Sequence, residues 1–284
     1  MQIKFWGARG SVPVSGKEFL KYGGDTTCVE VRSSRNDLII VDAGTGIRHL
    51  GKMLVKKDDL KFTMLFTHSH WDHIIGFPFF APIYNKKTEI TVFACASGKE
   101  DARDIVAKTM RPPGFPIKFE EISASFRFKN FCGLEARVGG LKISSIPLSH
   151  PNNGYGYKFE ENGRTFVFLT DNELGFSHEK AARFNEYIEF CRGADLLVHD
   201  AEYKNEEYPR KISWGHSTVK DAVNLALKSG VKTLGLFHHN QDRTDKEIDS
   251  MTRRAEKLKG DSNLKVFAVY QNQEIRFPKL APTI

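Results

Sequence analysis

Within Thr67-His68-Ser69-His70-Trp71-Asp72-His73, three imidazoles and a carboxylate fall in six consecutive positions. Such donors suit Zn, Mn or Fe, and the lack of a thiolate in the run argues against a closed structural zinc site. Three further ligand types stand where apolar runs end. Residues 143–148 lead into Ser149-His150-Pro151, 166–169 into Thr170-Asp171-Asn172, and 234–237 into His238-His239-Asn240. His238 directly ends its run and is the preferred ligand of its pair; His239 is left to substrate or to structure. Gly7-Ala8-Arg9-Gly10-Ser11-Val12-Pro13 follows a candidate first strand. The amides of a glycine-rich loop can approach phosphate closely, but a tight turn is the favoured reading.

Residues 62–66 read as a short buried strand, so the ligand run leaves a strand's carboxyl end and opens a helix. Strands are expected at 3–6, 28–32 and 38–41, the last ending at Asp42-Ala43-Gly44-Thr45-Gly46. Ile47, Leu50 and Leu54 then share one helical face. After a strand at 91–94, Ser97-Gly98-Lys99-Glu100 has the form of a capping box. The helix it opens carries Ala102, Ile105, Val106 and Met110 on one face and stops at Arg111-Pro112-Pro113. Residues 117–146 read as three or four strands with turns at Gly133 and Gly139-Gly140. Strands at 155–159 and 164–169 precede helices near 178–191, 217–229 and 245–259. Ser217 and Thr244 are the expected N-caps of the last two, with Gly230 and Gly260 at their C-terminal ends. Strands are also expected at 233–237, 265–270 and 274–277. Strand-and-helix blocks that recur twice agree with a layered α/β fold, without singling one out.

The chain of 284 residues suits one large α/β domain over 1–284, and its 40% hydrophobic content is ordinary. The four cysteines (Cys28, Cys95, Cys132, Cys191) are scattered without a CxxC. With no secretory signal visible at the N-terminus, this favours a reducing cytoplasm. Residues 74–84 are too short an apolar stretch to span a bilayer, so no membrane partner is expected. The formal charge of +7 would suit acidic partners such as nucleotides or nucleic acid. Lys and Arg are dispersed among acids, however, and a solvated surface explains most of that charge.

His68-Ser69-His70-Trp71-Asp72-His73 resembles the signature of the metallo-β-lactamase superfamily, whose fold is an αββα four-layer sandwich holding up to two metals. The resemblance implies His68, His70 and His150 on one divalent ion, Asp72, His73 and His238 on a second, and Asp171 bridging. Zn is the expected metal, with Mn or Fe as alternatives. Two ions about 3.5–4 Å apart would hold a hydroxide for in-line displacement. Metal binding brings the pKa of water toward about 7, and the resemblance implies that Asp72, as a ligand beside the hydroxide, also orients it. Asp42 would support the metal loop through a hydrogen bond to a ligand imidazole; an Asp satisfying helix amides is an equal reading.

His199-Asp200-Ala201-Glu202 and Trp214-Gly215-His216-Ser217-Thr218 resemble paired motifs of the ribonuclease Z-like phosphodiesterase branch. In that branch an acidic residue and the His of a His-Ser-Thr element serve the leaving group, here Asp200 and His216. An expelled alkoxide needs a proton, and a His held protonated by a carboxylate supplies it, for about 10²–10⁴-fold in rate. A helix-capping His-Ser-Thr beside an ordinary Asp is the plain alternative. Class B β-lactamases lack the His that stands here as His73, and glyoxalase II-like enzymes append a helical region where this chain ends in a strand. Flavodiiron proteins put Glu where His70 stands. True transfer-RNA 3′-processing enzymes insert a long arm between the positions of His150 and Asp171, where only twenty residues stand here. The expectation is therefore a phosphodiesterase for a small phosphodiester or nucleotide, in the first place a cyclic nucleotide. The alternatives are a ribonuclease Z-type RNA endonuclease and a non-catalytic sensor or scaffold. Related enzymes are often dimers, and Ile74-Ile75-Gly76-Phe77-Pro78-Phe79-Phe80 reads as a homodimer patch, as core or as pocket wall.

Overall fold

The computed structural model describes residues 1–56, 59–94, 102–131 and 135–278. The first half of the chain supplies β1 (Gln2–Gly7), β2 (Cys28–Arg32), β3 (Leu38–Val41), α1 (Ile47–Leu54), β4 (Lys61–Leu65), α2 (Trp71–Ile74), β5 (Glu89–Ala94), α3 (Ala102–Ala107) and β6 (Ser125–Asn130). The second supplies β7 (Glu135–Val138), β8 (Leu141–Pro147), β9 (Tyr155–Glu161), β10 (Arg164–Leu169), α4 (Phe184–Cys191), β11 (Leu196–Asp200), α5 (Val219–Ser229), β12 (Thr233–Phe237), α6 (Asp245–Leu258), β13 (Lys265–Ala268) and β14 (Glu274–Arg276).

The strands form two seven-stranded sheets, ordered β14-β1-β2-β3-β4-β5-β6 and β13-β12-β11-β10-β9-β8-β7. β3 to β6 run parallel in the first sheet and β10 to β13 in the second. Each parallel step is bridged by a helix, because a parallel neighbour can be reached only by a crossover. Strands with apolar residues on both faces belong in sheets covered on both sides. Ile39 and Val41 of β3 face Phe159, Phe166 and Phe168 of the other sheet in the shared core. Ile40 and Met64 turn outward to Ile47, Leu50 and Leu54 of α1. On the far side, Leu197 and Leu234 pack under Ala222, Val223 and Ala226 of α5 and Met251 of α6. The layers are therefore α, β, β and α.

The structure corrects several sequence expectations. The helix expected from 178 begins at Phe184, where Glu186 reaches back 2.7 Å to the amide of Arg183. Thr218, not Ser217, caps α5 by accepting from the amide of Asp221. The Ser217 hydroxyl instead donates to the carbonyl of Asn172. The strand expected at 265–270 ends at Ala268, and 117–146 holds β6, β7 and β8. Ile74, Phe77, Pro78 and Phe80 are buried, with the first, second and last in the outer core beside α1, while Phe79 is exposed. The capping box at Ser97, the turn at Gly133, Cys95 and Cys132 lie outside the described residues. Among the described residues no helix is long and apolar enough to cross a membrane.

Candidate metal centre

The carboxyl ends of the central strands meet along one rim of the sandwich. Asp42 follows β3, the His68 to His73 run follows β4, and His150 lies just past β8. Asp171 lies just past β10, Asp200 ends β11 and His238 follows β12. Asp42, Asp171 and His238 have φ of 61°, 57° and 56°. This left-handed backbone is uncommon outside glycine and costs of order 1–3 kcal/mol each, a strain that persists only where surrounding contacts over-determine it.

Among the described residues three donor groups result, with the ligand atoms of each within 4.8 Å of one another: His68, His70, His150 and Asp171; Asp72, His73, Asp171 and His238; and Glu202, His216 and His238, beside the first two. The first two are read as the metal-holding pair. Asp171 is common to both. Its Oδ1 lies 3.3 Å from His73 Nε2, and its Oδ2 lies 3.5 Å from His68 Nε2 and 3.4 Å from His238 Nε2. Asp72 Oδ2 lies 3.2 Å from His73 Nε2 and 3.1 Å from His238 Nε2.

The outer nitrogens of these rings are engaged, which directs the inner lone pairs toward the middle. His73 Nδ1 meets Asp42 Oδ2 at 2.8 Å, His150 Nδ1 meets the Gly215 carbonyl at 2.9 Å, and His238 Nδ1 meets Glu202 Oε2 at 2.9 Å. Asp42 also accepts from the amide and hydroxyl of Thr67, at 2.8 and 2.7 Å. His68 Nε2 and His73 Nε2 are buried without a hydrogen-bond partner. Such orphans are rare in folded proteins, and a divalent cation would satisfy both. The donor set fits metal.

The electrostatics agree. Burial pushes the His68 pKa well down and takes His150 to about 3, so both imidazoles are neutral, the form a metal would need. Burial also opposes charge on His73 and His238. The carboxylates around them, chiefly Asp72 at His73 and Asp171 at His238, outweigh it and raise both well above the usual imidazole value. Burial likewise opposes charge on Asp72 and Asp171, yet the neighbouring imidazoles hold both well below the usual carboxylate range. The middle of the cluster favours positive charge.

His216 stands beside the two groups. Its ring stacks on His238 with centroids 4.6 Å apart, its Nδ1 is 3.3 Å from Asp200 Oδ2, and its Nε2 is 3.5 Å from Glu202 Oε2. Burial works against its charge, but Glu202 and Asp200 lift its pKa to about 9. Asp200 is fully buried and accepts from the amides of Asn172 and Ser217 at 2.7 and 2.8 Å. It therefore anchors His216 from behind. Glu202 is the site residue that sequence reasoning passed over. It joins His238 to His216, also accepts from Asn240 at 2.8 Å, and is held near 2 by His216 and His238 against its burial. Its signal was the two-residue offset from Asp200.

His239 is turned away, its Nε2 on the carbonyl of Val269 at 2.7 Å, and burial holds it at about 3. The glycine-rich loop is a structural turn. Arg9 is buried and donates to the carbonyls of Gly23, Asn240 and Arg243. A Cβ on Gly10 would stand 2.3 Å from the His238 ring, and the Ser11 amide donates to Asp72 at 2.9 Å. The loop braces two candidate ligands.

Residues 38–239 match the beta-lactamase superfamily domain. The chain belongs to that superfamily. A ribonuclease Z of Haloarcula marismortui is 23% identical over 283 aligned residues, covering 84% of this chain and 86% of its own. Among solved structures, a diphosphatase of the PhnP family superposes with a TM-score of 0.69 at 18% identity, covering 98% of each chain. The short form of human tRNase Z gives 0.65 at 18% identity, covering 98% of this chain and 100% of its own. These structures share the fold described above.

Proposed function

We propose that this chain is a metal-dependent phosphodiesterase acting on a small phosphodiester, in the first place a cyclic nucleotide. Two divalent ions, Zn by preference and Mn or Fe as alternatives, would be held by His68, His70 and His150 and by Asp72, His73 and His238, with Asp171 shared. Bound there, such a pair supplies Lewis acidity and an ionised water at neutral pH.

The chain's own residues do the rest. Asp42, Glu202 and the Gly215 carbonyl fix the orientation of His73, His238 and His150. Asp200 holds His216 by Nδ1, and the proton on His216 passes to the departing alkoxide. The observation that carries this reading is His216 stacked on His238 between two buried carboxylates. An acid outside the two groups that share Asp171 is what an alkoxide leaving group requires.

A metal-dependent hydrolase is the coarser statement that the relatives support, and their name favours a second reading, RNA cleavage of the ribonuclease Z type. The short β9–β10 connection supports the smaller substrate. Only Asn162 and Gly163 join the two strands, and nothing resembling an arm is inserted between His150 and Asp171. A sensor or scaffold reading gains nothing from a donor set in which every position is filled.

Metal-replete protein should hydrolyse bis-p-nitrophenyl phosphate and at least one member of a panel of 2′,3′- and 3′,5′-cyclic nucleotides. Precursor transfer RNA is assayed alongside. Faster cleavage of the RNA would favour the second reading, and no turnover of any phosphodiester would sink the first.

A further inference from the structure

Of the three tryptophans in the chain, Trp6 is buried with its Nε1 on Glu30 at 2.7 Å, but Trp71 is 75% exposed and Trp214 57% exposed. Both exposed indoles are next in the chain to residues that build the candidate metal centre. Trp71 lies between His70 and Asp72 on the first turn of α2. Trp214 precedes Gly215, whose carbonyl holds His150. His70 and His150 meet directly, with Nδ1 and Nε2 2.9 Å apart. Trp71 is thus next in the chain to one member of this pair, and Trp214 to the glycine that holds the other.

The loop bearing Trp214 is held in shape from within. Glu173 is fully buried, and its carboxylate accepts from the amides of Ser213 and Gly215, at 2.8 and 2.7 Å, and from the Tyr208 hydroxyl at 2.8 Å. Ser213 and Gly215 flank the indole with φ of 71° and 92°. A Cβ on Gly215 would stand 2.1 Å from His150 Nδ1, so the loop is pressed against that ligand. Lys211 Nζ lies 3.7 Å over the Trp214 ring and steadies it. Burying a carboxylate is costly unless its hydrogen bonds are met. Here they are met by the backbone on both sides of an indole that remains in water. A rigid, exposed aromatic surface loses little conformational freedom when a flat ligand lies on it.

We propose that Trp71 and Trp214 are the surface on which the substrate's planar heterocycle rests, so that the substrate is a phosphodiester carrying a nucleobase. This rests on the phosphodiesterase reading above and narrows its substrate class. Aromatic stacking tolerates different bases because every base has a π-face.

The test compares the best cyclic nucleotide of the panel with the methyl riboside cyclic phosphate of the same linkage, which carries a methoxy group in place of the base. In the metal-replete full chain, Trp71→Ala or Trp214→Ala should lower the nucleotide-over-riboside preference in kcat/KM by about 5- to 150-fold. The loss should appear in KM for the nucleotide, and Trp214→Phe should recover most of it. Titrating wild-type protein with the nucleotide should quench tryptophan fluorescence, and less so in either variant. A wild type that cleaves both compounds equally would overturn the proposal while leaving the phosphodiesterase reading intact. So would variants that lose activity equally on both, or that change sedimentation behaviour without moving KM, which would mark the indoles as a protein contact. Failure of the wild type on both compounds and on bis-p-nitrophenyl phosphate would remove both readings together.

Discussion

His216 is the side chain on which the choice of reaction turns. It lies outside the two groups that share Asp171, so His216→Ala should retain metal there while slowing substrates that expel an alkoxide by about 10²–10⁴-fold. A nitrophenolate leaves without a proton, so bis-p-nitrophenyl phosphate should lose far less. Steady-state rates on both substrates, with metal content measured on the same sample, check this; equal losses would show that His216 is not the acid. Glu202 acts through other residues, as the carboxylate that orients His238 and faces His216. Glu202→Gln keeps the size of the side chain but removes its charge, and should weaken metal affinity or activity by about 10–100-fold. Titration with a chelating indicator would expose the loss, and wild-type affinity with wild-type rate would refute the role. The contrast shows what was legible in the sequence. His68, His70, Asp72 and His73 announce themselves because their spacing is local, and His150, Asp171 and His238 because each closes an apolar run. Glu202 does not, because its partners come from the end of β12 and the loop before α5, and their meeting is a property of the sheet.

At the scale of elements, apolar runs and caps located most of the fold. β2 and β3 lie where their patterns put them, and Thr244 caps α6 by accepting from Glu247, as its sequence indicated. The choice between Ser217 and Thr218 was not local, because the Ser217 hydroxyl goes to Asn172 across the site and leaves Thr218 to cap α5. The loop after β1 was rightly read as a turn, but only the packed structure shows what it presses on. Gly10→Ala would place a methyl 2.3 Å from the His238 ring, where the ring is fixed by Glu202 and cannot yield cheaply. The variant should fold with reduced metal occupancy and lowered activity. Gly114→Ala is the matched control, since its added methyl would come no closer than 3.4 Å to the Arg111 carbonyl. Metal content per chain distinguishes them, and full occupancy in Gly10→Ala would show that the loop has slack.

Across the whole molecule, the donor groups draw on both sheets. His68, His70, Asp72 and His73 come from the loop after β4 of the first sheet, and His150, Asp171 and His238 from strand ends of the second. The hydrophobic core between the sheets holds them together along their length, but at this rim the contact is between buried imidazoles and carboxylates. Asp72 and Asp171 carry negative charge there, and their desolvation is offset only by partners of opposite sign. A cation that binds this rim only in the folded chain stabilises the fold by mass action, about 2.7 kcal/mol when free metal is a hundred times its dissociation constant. Exhaustive chelation should therefore lower Tm without changing the secondary structure seen by circular dichroism at room temperature. Returning the metal should restore Tm in a concentration-dependent way, because the unfolded chain no longer brings the two sets of ligands together. Calorimetry on chelated and reloaded protein measures this. A Tm indifferent to the metal would mean that the two sheets close this rim without it, and that the buried charges are neutralised by protons on His73 and His238 instead.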